Sequence, residues 1–340
     1  MTRSLKLSVF FAPVRDTPAH ITLAEDLGFD CAWCYDSPLL YHDPFVTLAR
    51  AAERTSRIGL GIGVVVPGLR TPVATAAGLR SLSALAPERV VVAVGAGFTG
   101  RFTLGLGPVR LSALEREVHD LRTLLAGGEI THAEGGRPVR PIPVRGAEGA
   151  GDVPILVSCR GLRAQALARR IADGAMTGVF FPGGLGLVRE AIGPDMPLVV
   201  HAVGAVAEDG EPLDSPRLRA AVGPVVAVAF HAFCEQPWRL LGLDRGLRDQ
   251  AEAYIRDVTA ALSVDRRHQE LHRGHLSEVV LPQDAAVVTA DNIARFGFCG
   301  TASVLRARAD AMARDGVTEL AIQPGGDIPS ELRRIAEVLR

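Results

Sequence analysis

Ile58-Gly-Leu-Gly-Ile-Gly-Val-Val-Val66, then a helical stretch over 72–85 opened by Pro72, then Arg89-Val-Val-Val-Ala-Val94: this succession decides the fold. Both apolar runs are nearly unbroken. Strands that show water one face alternate polar with apolar, whereas parallel strands covered on both faces read as continuous Val, Ile and Leu. A proline in the first turn suits the helix between them, because the N–H it lacks would have no partner there. The unit is therefore strand, helix, parallel strand.

The same rhythm extends in both directions. Strands are expected at 5–11, 31–35, 58–66, 89–94, 154–157, 175–179, 198–206 and 317–322, with helices at 17–27, 44–55, 72–85, 111–125, 162–172, 301–314 and 331–339. Gly28 closes the first helix as a C-terminal cap. Alternation repeated about eight times points to a (β/α)8 TIM barrel rather than an open sheet, with a doubly wound sheet as the alternative. Two stretches break the rhythm and are read as insertions. Residues 130–151 are rich in Gly, Pro and Arg and suit a hairpin or loop; residues 212–296, the longest insertion, have the length of several helices. The chain reads as one domain over 1–340, although length alone would allow two.

Composition narrows the function. Formal net charge is −1, which gives no electrostatic case for nucleic acid or an anionic membrane as partner. Lys6 is the one lysine, and it lies near the start of the first strand, the wrong end of a barrel for Schiff-base chemistry. The 5 cysteines are scattered and odd in number, so no disulfide framework is implied. No signal peptide or membrane-length apolar stretch stands out, and a cytoplasmic location is expected.

Reacting groups of a barrel sit where strands end. After the second strand comes Tyr35-Asp36-Ser37-Pro38; Asp36 is an acid at the mouth, or more plainly an N-cap or turn former before Pro38. Glycines in the third strand mark a bulge or a close approach to the backbone. Gly95-Ala-Gly97-Phe98-Thr-Gly100 resembles a phosphate loop but lacks the Lys-Ser/Thr ending. Ser158-Cys159-Arg160-Gly161 enters a helix, which makes it a phosphate seat or simply a helix cap. His272 and His275, three apart, read as surface or helix-capping histidines, as residues of the substrate mouth, or as a metal pair without a third ligand; no metal is expected. Cys31 and Cys34 have redox-motif spacing, but on a strand they face opposite sides, so a core strand is the better reading. Phe230-His-Ala-Phe233 with Trp238 reads as core or subunit interface.

Taken together, Ala24-Glu-Asp-Leu-Gly-Phe-Asp30, Tyr35-Asp36, Thr55-Ser-Arg-Ile-Gly-Leu-Gly-Ile-Gly-Val64, Leu82-Ser-Ala-Leu-Ala-Pro-Glu-Arg89 and Val94-Gly-Ala-Gly97 resemble the luciferase-like monooxygenase superfamily. Within it they are similar to the branch containing the coenzyme F420-dependent methylenetetrahydromethanopterin reductases. Ile171-Ala-Asp-Gly174, Phe298-Cys-Gly-Thr301 and Gly316-Val-Thr-Glu-Leu-Ala-Ile-Gln-Pro324 continue the likeness.

The resemblance implies a non-prolyl cis peptide at Gly63–Val64 behind the ring of the cofactor, and Asp36 at its pyrimidine side. It places Gly95, Ala96 and Gly97 beneath or beside the ring. Ser158, Cys159, Arg160 and Gly161, with Gly178 and Val179, would hold the ribityl chain and phosphate. Relatives with a histidine after the strand-2 aspartate, or a glutamate after strand 4, carry proton donors that are here Ser37 and Phe98. Asp36, Tyr35 or a histidine of the insertion, His275 in the first place, would have to replace them. The function implied is an F420-dependent oxidoreductase moving a hydride to or from a small-molecule substrate. The alternatives are a monooxygenase taking reduced FMN from a separate reductase, and a flavin-binding barrel without catalysis. A homodimer is expected by the same resemblance.

Overall fold

On the strand Cys31–Cys34 the side chains separate by parity. Cys31 and Trp33 pack with Phe10, Ala93, Leu156, Met176 and Val199, whereas Ala32 and Cys34 pack with the apolar faces of the helices. The first set fills the inside of a barrel and the second joins it to its outer layer, and all four side chains are buried.

The computed structural model describes residues 5–132, 135–142, 144, 151–178 and 184–340. Among these, parallel strands close into an eight-stranded barrel: β1 (Lys6–Phe11), β2 (Cys31–Cys34), β3 (Gly59–Val65), β4 (Val90–Val94), β5 (Ile155–Ser158), β6 (Gly174–Gly178), β7 (Leu198–Val206) and β8 (Glu319–Gln323). Each strand pairs with the next, β6 joins β7 through Gly178 opposite His201, and β8 returns to β1 through Lys6 opposite Glu319. Gly61 is explained by close approach: a Cβ there would fall 2.3 Å from the Trp33 ring, so glycine leaves room for the indole inside the barrel.

The helices Pro72–Leu85 and Leu111–Leu125 stand where periodicity puts them, and the others agree to within a few residues at their ends. Thr99–Phe102 after β4 and Leu185–Ile192 after β6 are additional. The first is a single turn, too short to carry an amphipathic repeat. The stretch from 130 holds an antiparallel pair, Ile130–Thr131 with Pro138–Val139.

The long insertion is helical. Pro216–Glu235, Arg245–Ala261, Pro282–Val287 and Ala290–Phe296 pack around Phe230, Phe233, Tyr254 and Phe296. It returns through a short strand, Phe298–Gly300, which pairs with the last three residues of β7. One expectation is corrected here: Pro216–Glu235 is long and apolar enough to cross a membrane. Its apolar surface is spent inside the protein, where residues such as Val222, Val226, Phe230 and Phe233 are buried, so length and composition measure the helix's own core and not a lipid contact. The aromatic cluster divides, since Phe230 and Phe233 are core and Trp238 is exposed.

Candidate active site

The carboxyl ends of the strands surround an open-mouthed cavity. Phe10 of β1, Tyr35–Ser37 after β2, Gly63 and Val64 of β3, Phe98 after β4, Ser158 and Arg160 at β5, Met176–Gly178 of β6 and His201 of β7 contribute to its wall. Val228, Ala229, Ala232, Arg239, His275 and Leu276 of the insertion complete it.

On one side the Gly63–Val64 peptide is cis, and the pairing of β3 with β4 slips by one residue between Gly63 and Val65. Val64 bulges over Gly95, where a Cβ would sit 2.6 Å from Val64 Cγ2. Any larger residue at 95 would push Val64 into the cavity. Gly95 thus lies behind the bulge, and of Gly95, Ala96 and Gly97 the last alone lines the cavity.

Asp36 is neither a cap nor a simple turn former. Asp43 caps the helix Pro44–Ala52, accepting from Phe45 N at 2.8 Å. Asp36 is 3% exposed and accepts from Arg70 Nε at 2.7 Å through Oδ2. Arg70 also bonds to Asp43 and lies 5.0 Å from the centre of the Phe45 ring, so one guanidinium ties the loop after β3 to both acids after β2. The other oxygen of Asp36, Oδ1, is buried with no partner among the described residues. A buried carboxylate oxygen in that condition is an acceptor waiting for a donor.

Tyr35 stacks on Phe10 at 5.5 Å and meets the edge of His275 at 4.9 Å. Burial pushes its phenol well above the usual range, so it stays protonated. Tyr41 reaches His275 Nδ1 at 3.3 Å and Ser277 Oγ at 2.7 Å. His272 and His275 are neither on the surface nor on a helix; both are buried in a run of turns, His275 with φ 43. The turn aims His275 into the cavity and sends His272 to Glu235, 3.1 Å away, and against Phe98 at 5.4 Å. Burial, with His272 second, brings the His275 imidazole down to about 3.

At the other edge, Ser158, Arg160 and Gly178 line the cavity together, with Arg239 of the insertion beside them. Arg239 is held by Gln236 Oε1 at 2.6 Å and lies over the Trp238 ring. Gly161 opens the helix Leu162–Ile171 and lines a groove continuous with the cavity, sharing Arg160, Thr177, Gly178 and Arg239 with it. One expectation changes and one falls outside the structure's description. Cys159 is buried in the layer between barrel and helices, turned from the cavity as the odd neighbour of Ser158 must be. Val179 lies outside the described residues.

Sequence reasoning missed Arg70, Arg239, Tyr41 and His201. Three are loop or insertion residues whose role depends on tertiary contact. His201 did carry a signal: it is the one ionisable side chain within Leu198-Val-Val-His-Ala-Val-Gly-Ala-Val206, on the parity that faces the barrel interior.

The residues present fit a flavin-like ring with a phosphate arm. Oδ1 of Asp36 can accept from a pyrimidine N–H, the Gly63–Val64 bulge gives a flat ring a backing, and Ser158, Arg160, Arg239 and the first-turn N–H groups after Gly161 suit a phosphate.

The model of the family described as luciferase-like monooxygenase matches residues 3–319. An F420-dependent glucose-6-phosphate dehydrogenase from Beutenbergia cavernae is 33% identical over 177 residues, 48% of this chain and 52% of that protein, so the chain spans about half the length of that relative. A 5,10-methylenetetrahydromethanopterin reductase from Archaeoglobus fulgidus is 24% identical over 332 residues, 93% of this chain and 92% of its own. In fold, the chain is similar to the coenzyme F420-dependent tetrahydromethanopterin reductase of Methanopyrus kandleri, with TM-score 0.72 at 18% identity over 99% of this chain and 98% of that one.

Proposed function

The chain belongs to the luciferase-like monooxygenase family, and on that premise we propose that it is an F420-dependent oxidoreductase moving a hydride between the deazaflavin and a small organic substrate. The observation that carries this reading is the unpartnered Oδ1 of Asp36 in the same cavity wall as the Gly63–Val64 bulge. When bound, F420 supplies the hydride chemistry; the protein supplies orientation and electrostatics. Asp36, held by Arg70, accepts from the pyrimidine edge. Gly63 and Val64 back the ring. Ser158, Arg160 and Arg239 take the phosphate. Tyr35, kept protonated by burial, and the neutral His275 are the nearby groups that can hold a proton for the substrate.

A two-component monooxygenase using reduced FMN from a separate reductase is the second reading. One observation favours it: Ser37 and Phe98, both in the cavity wall, supply no general acid where related dehydrogenases have one. The reading also takes the protein to be a cytoplasmic homodimer. Exposed Leu39, Val46 and Val73, on and beside the helices after β2 and β3, would be covered in it.

Titration of the purified protein with oxidised F420 and with FMN, followed by ring fluorescence, tests the reading. Micromolar binding of F420 is expected, and binding of FMN without F420 overturns it in favour of the second. Sedimentation velocity at micromolar protein checks the dimer.

A further inference from the structure

We infer that His201 is the substrate anchor of this site, its imidazole hydrogen-bonding the oxygen or nitrogen of an uncharged, largely apolar substrate that bears a carbonyl, imine or hydroxyl group. The inference rests on the hydride-transfer reading above and adds the substrate class to it.

Position is the first argument. In a closed ring of eight strands, β3 and β7 stand four apart and face each other across the mouth. Gly63–Val64 is on one side and His201 on the other, both in the cavity wall. A flat ring backed by the bulge therefore turns its free face toward β7. His201 shares the inward parity of Val199 and Val203, and its ring centre is 4.3 Å from that of Phe10.

The second argument is satisfaction. Nε2 of His201 is buried with no partner among the described residues. Gln323, whose amide donates to the Leu276 carbonyl at 2.9 Å, lies against both His201 and Tyr35 behind the cavity wall. Leaving Nε2 unpaired costs about 1–3 kcal/mol, and a polar substrate atom that reaches it from the cavity removes the cost.

The third is charge. Val228, Ala229, Ala232 and Leu276 make the apolar part of the insertion's wall, beside Arg239 and His275. Asp36 is matched by Arg70, and Arg160 and Arg239 stand with Ser158, where the reading places the cofactor's phosphate. Burial brings the His201 imidazole down to about 4 and that of His275 to about 3, so both are neutral at neutral pH. A neutral imidazole offers one donor and one acceptor and no charge. With Arg160, whose charge reaches His201, and Arg239 given to the cofactor's phosphate, a carboxylate or phosphate on the substrate would lose its hydration without a cation of its own.

The test uses full-length protein labelled with 15N in its histidine side chains, with and without F420, titrated with cyclohexanone, cyclohexanecarboxylate and glucose 6-phosphate. The His201 resonance is assigned by its loss in His201→Phe. Cyclohexanone is expected to shift it and to bind at least about tenfold more tightly than either anion, the size of one desolvated hydrogen bond. His201→Phe should lose about tenfold in cyclohexanone affinity, whereas His201→Gln, which keeps an N–H donor, should lose about threefold or less. Both variants should keep the wild-type fluorescence response to F420. An anion that binds as tightly as the ketone, a ketone that leaves the His201 resonance unmoved, or wild-type ketone affinity in His201→Phe each overturns the inference. Failure of F420 to bind the wild-type protein overturns only the cofactor reading, and the titration without cofactor then decides the anchor. Should His201→Phe fail to fold, the wild-type panel and His201→Gln decide.

Discussion

Arg70 donates through Nε to Oδ2 of Asp36 at 2.7 Å, and the pair is asymmetric: the carboxylate side chain is 1% exposed and the guanidinium 25%. Removing the cation strands a buried charge, whereas removing the anion leaves a cation that still has Asp43 and a route to water. Arg70→Met is expected to destabilise the fold by roughly 2–3 kcal/mol, and Asp36→Asn by clearly less. Urea unfolding of the three proteins at neutral pH measures the order; an equal loss in both variants removes the asymmetry.

Asp36 and His275 line the same cavity, yet the reading gives only Asp36 to the cofactor. Asp36→Ala should weaken F420 binding by about tenfold, the worth of one hydrogen bond to a charged acceptor, and His275→Ala by about twofold or less. Fluorescence titration of each variant reads both numbers. Comparable losses would take Asp36 from the ring's edge.

The contact between Gly95 and Val64 gives a backbone test of the ring's seat. A Cβ at 95 would lie 2.6 Å from Val64 Cγ2, whereas at Gly107, away from the cavity, it would meet nothing within 4 Å. Gly95→Ala should cost about 1–3 kcal/mol in stability and weaken F420 binding as Val64 is pushed forward, with Gly107→Ala as the neutral control. Unchanged F420 affinity in a destabilised Gly95→Ala would separate the bulge from the ring.

His201 and His275 also predict a pH dependence. Their imidazoles titrate near about 4 and about 3 in the folded protein, against an ordinary value of 6.5 in the unfolded chain. Between those limits the unfolded chain binds more protons, so stability is fully present above 6.5 and falls as the pH drops toward 4. At pH 5 each imidazole accounts for roughly 2 kcal/mol of the loss. His275→Phe should therefore flatten the fall between pH 7.5 and 5.0. Parallel curves for wild type and variant, measured by urea unfolding, would count against burial of a neutral His275.

The barrel was legible because its signals are local. Continuous apolar runs such as Val90–Val94, a proline opening Pro72–Leu85 and glycine ending a helix each follow from a few neighbouring residues. The cavity wall was legible where it follows strand ends, as at Tyr35, Asp36, Ser158 and Arg160. It was illegible where partners meet through the insertion or across the barrel. Nothing near Arg70 in sequence indicates that it bonds to Asp36, 34 residues away. The buried turn that presents His275 depends on packing against Tyr41, 234 residues distant. Cys159 shows a third kind of miss, since strand parity, available in the sequence, already turns it from the cavity when Ser158 faces in.

The short strand Phe298–Gly300 pairs with Gly204, Ala205 and Val206 at the end of β7. The chain therefore leaves for its long helical excursion and comes back at points only one strand spacing apart, about 5 Å. An excursion with its two feet pinned side by side on the scaffold is a cassette: its inner length can change while the barrel's closure does not. In this protein the cassette supplies Val228, Ala229, Ala232, His275 and Leu276 to the cavity, and the strands and their own loops supply Asp36, Gly63, Val64 and Ser158. Divergence within the cassette can thus exchange what is transformed and leave what transforms it untouched.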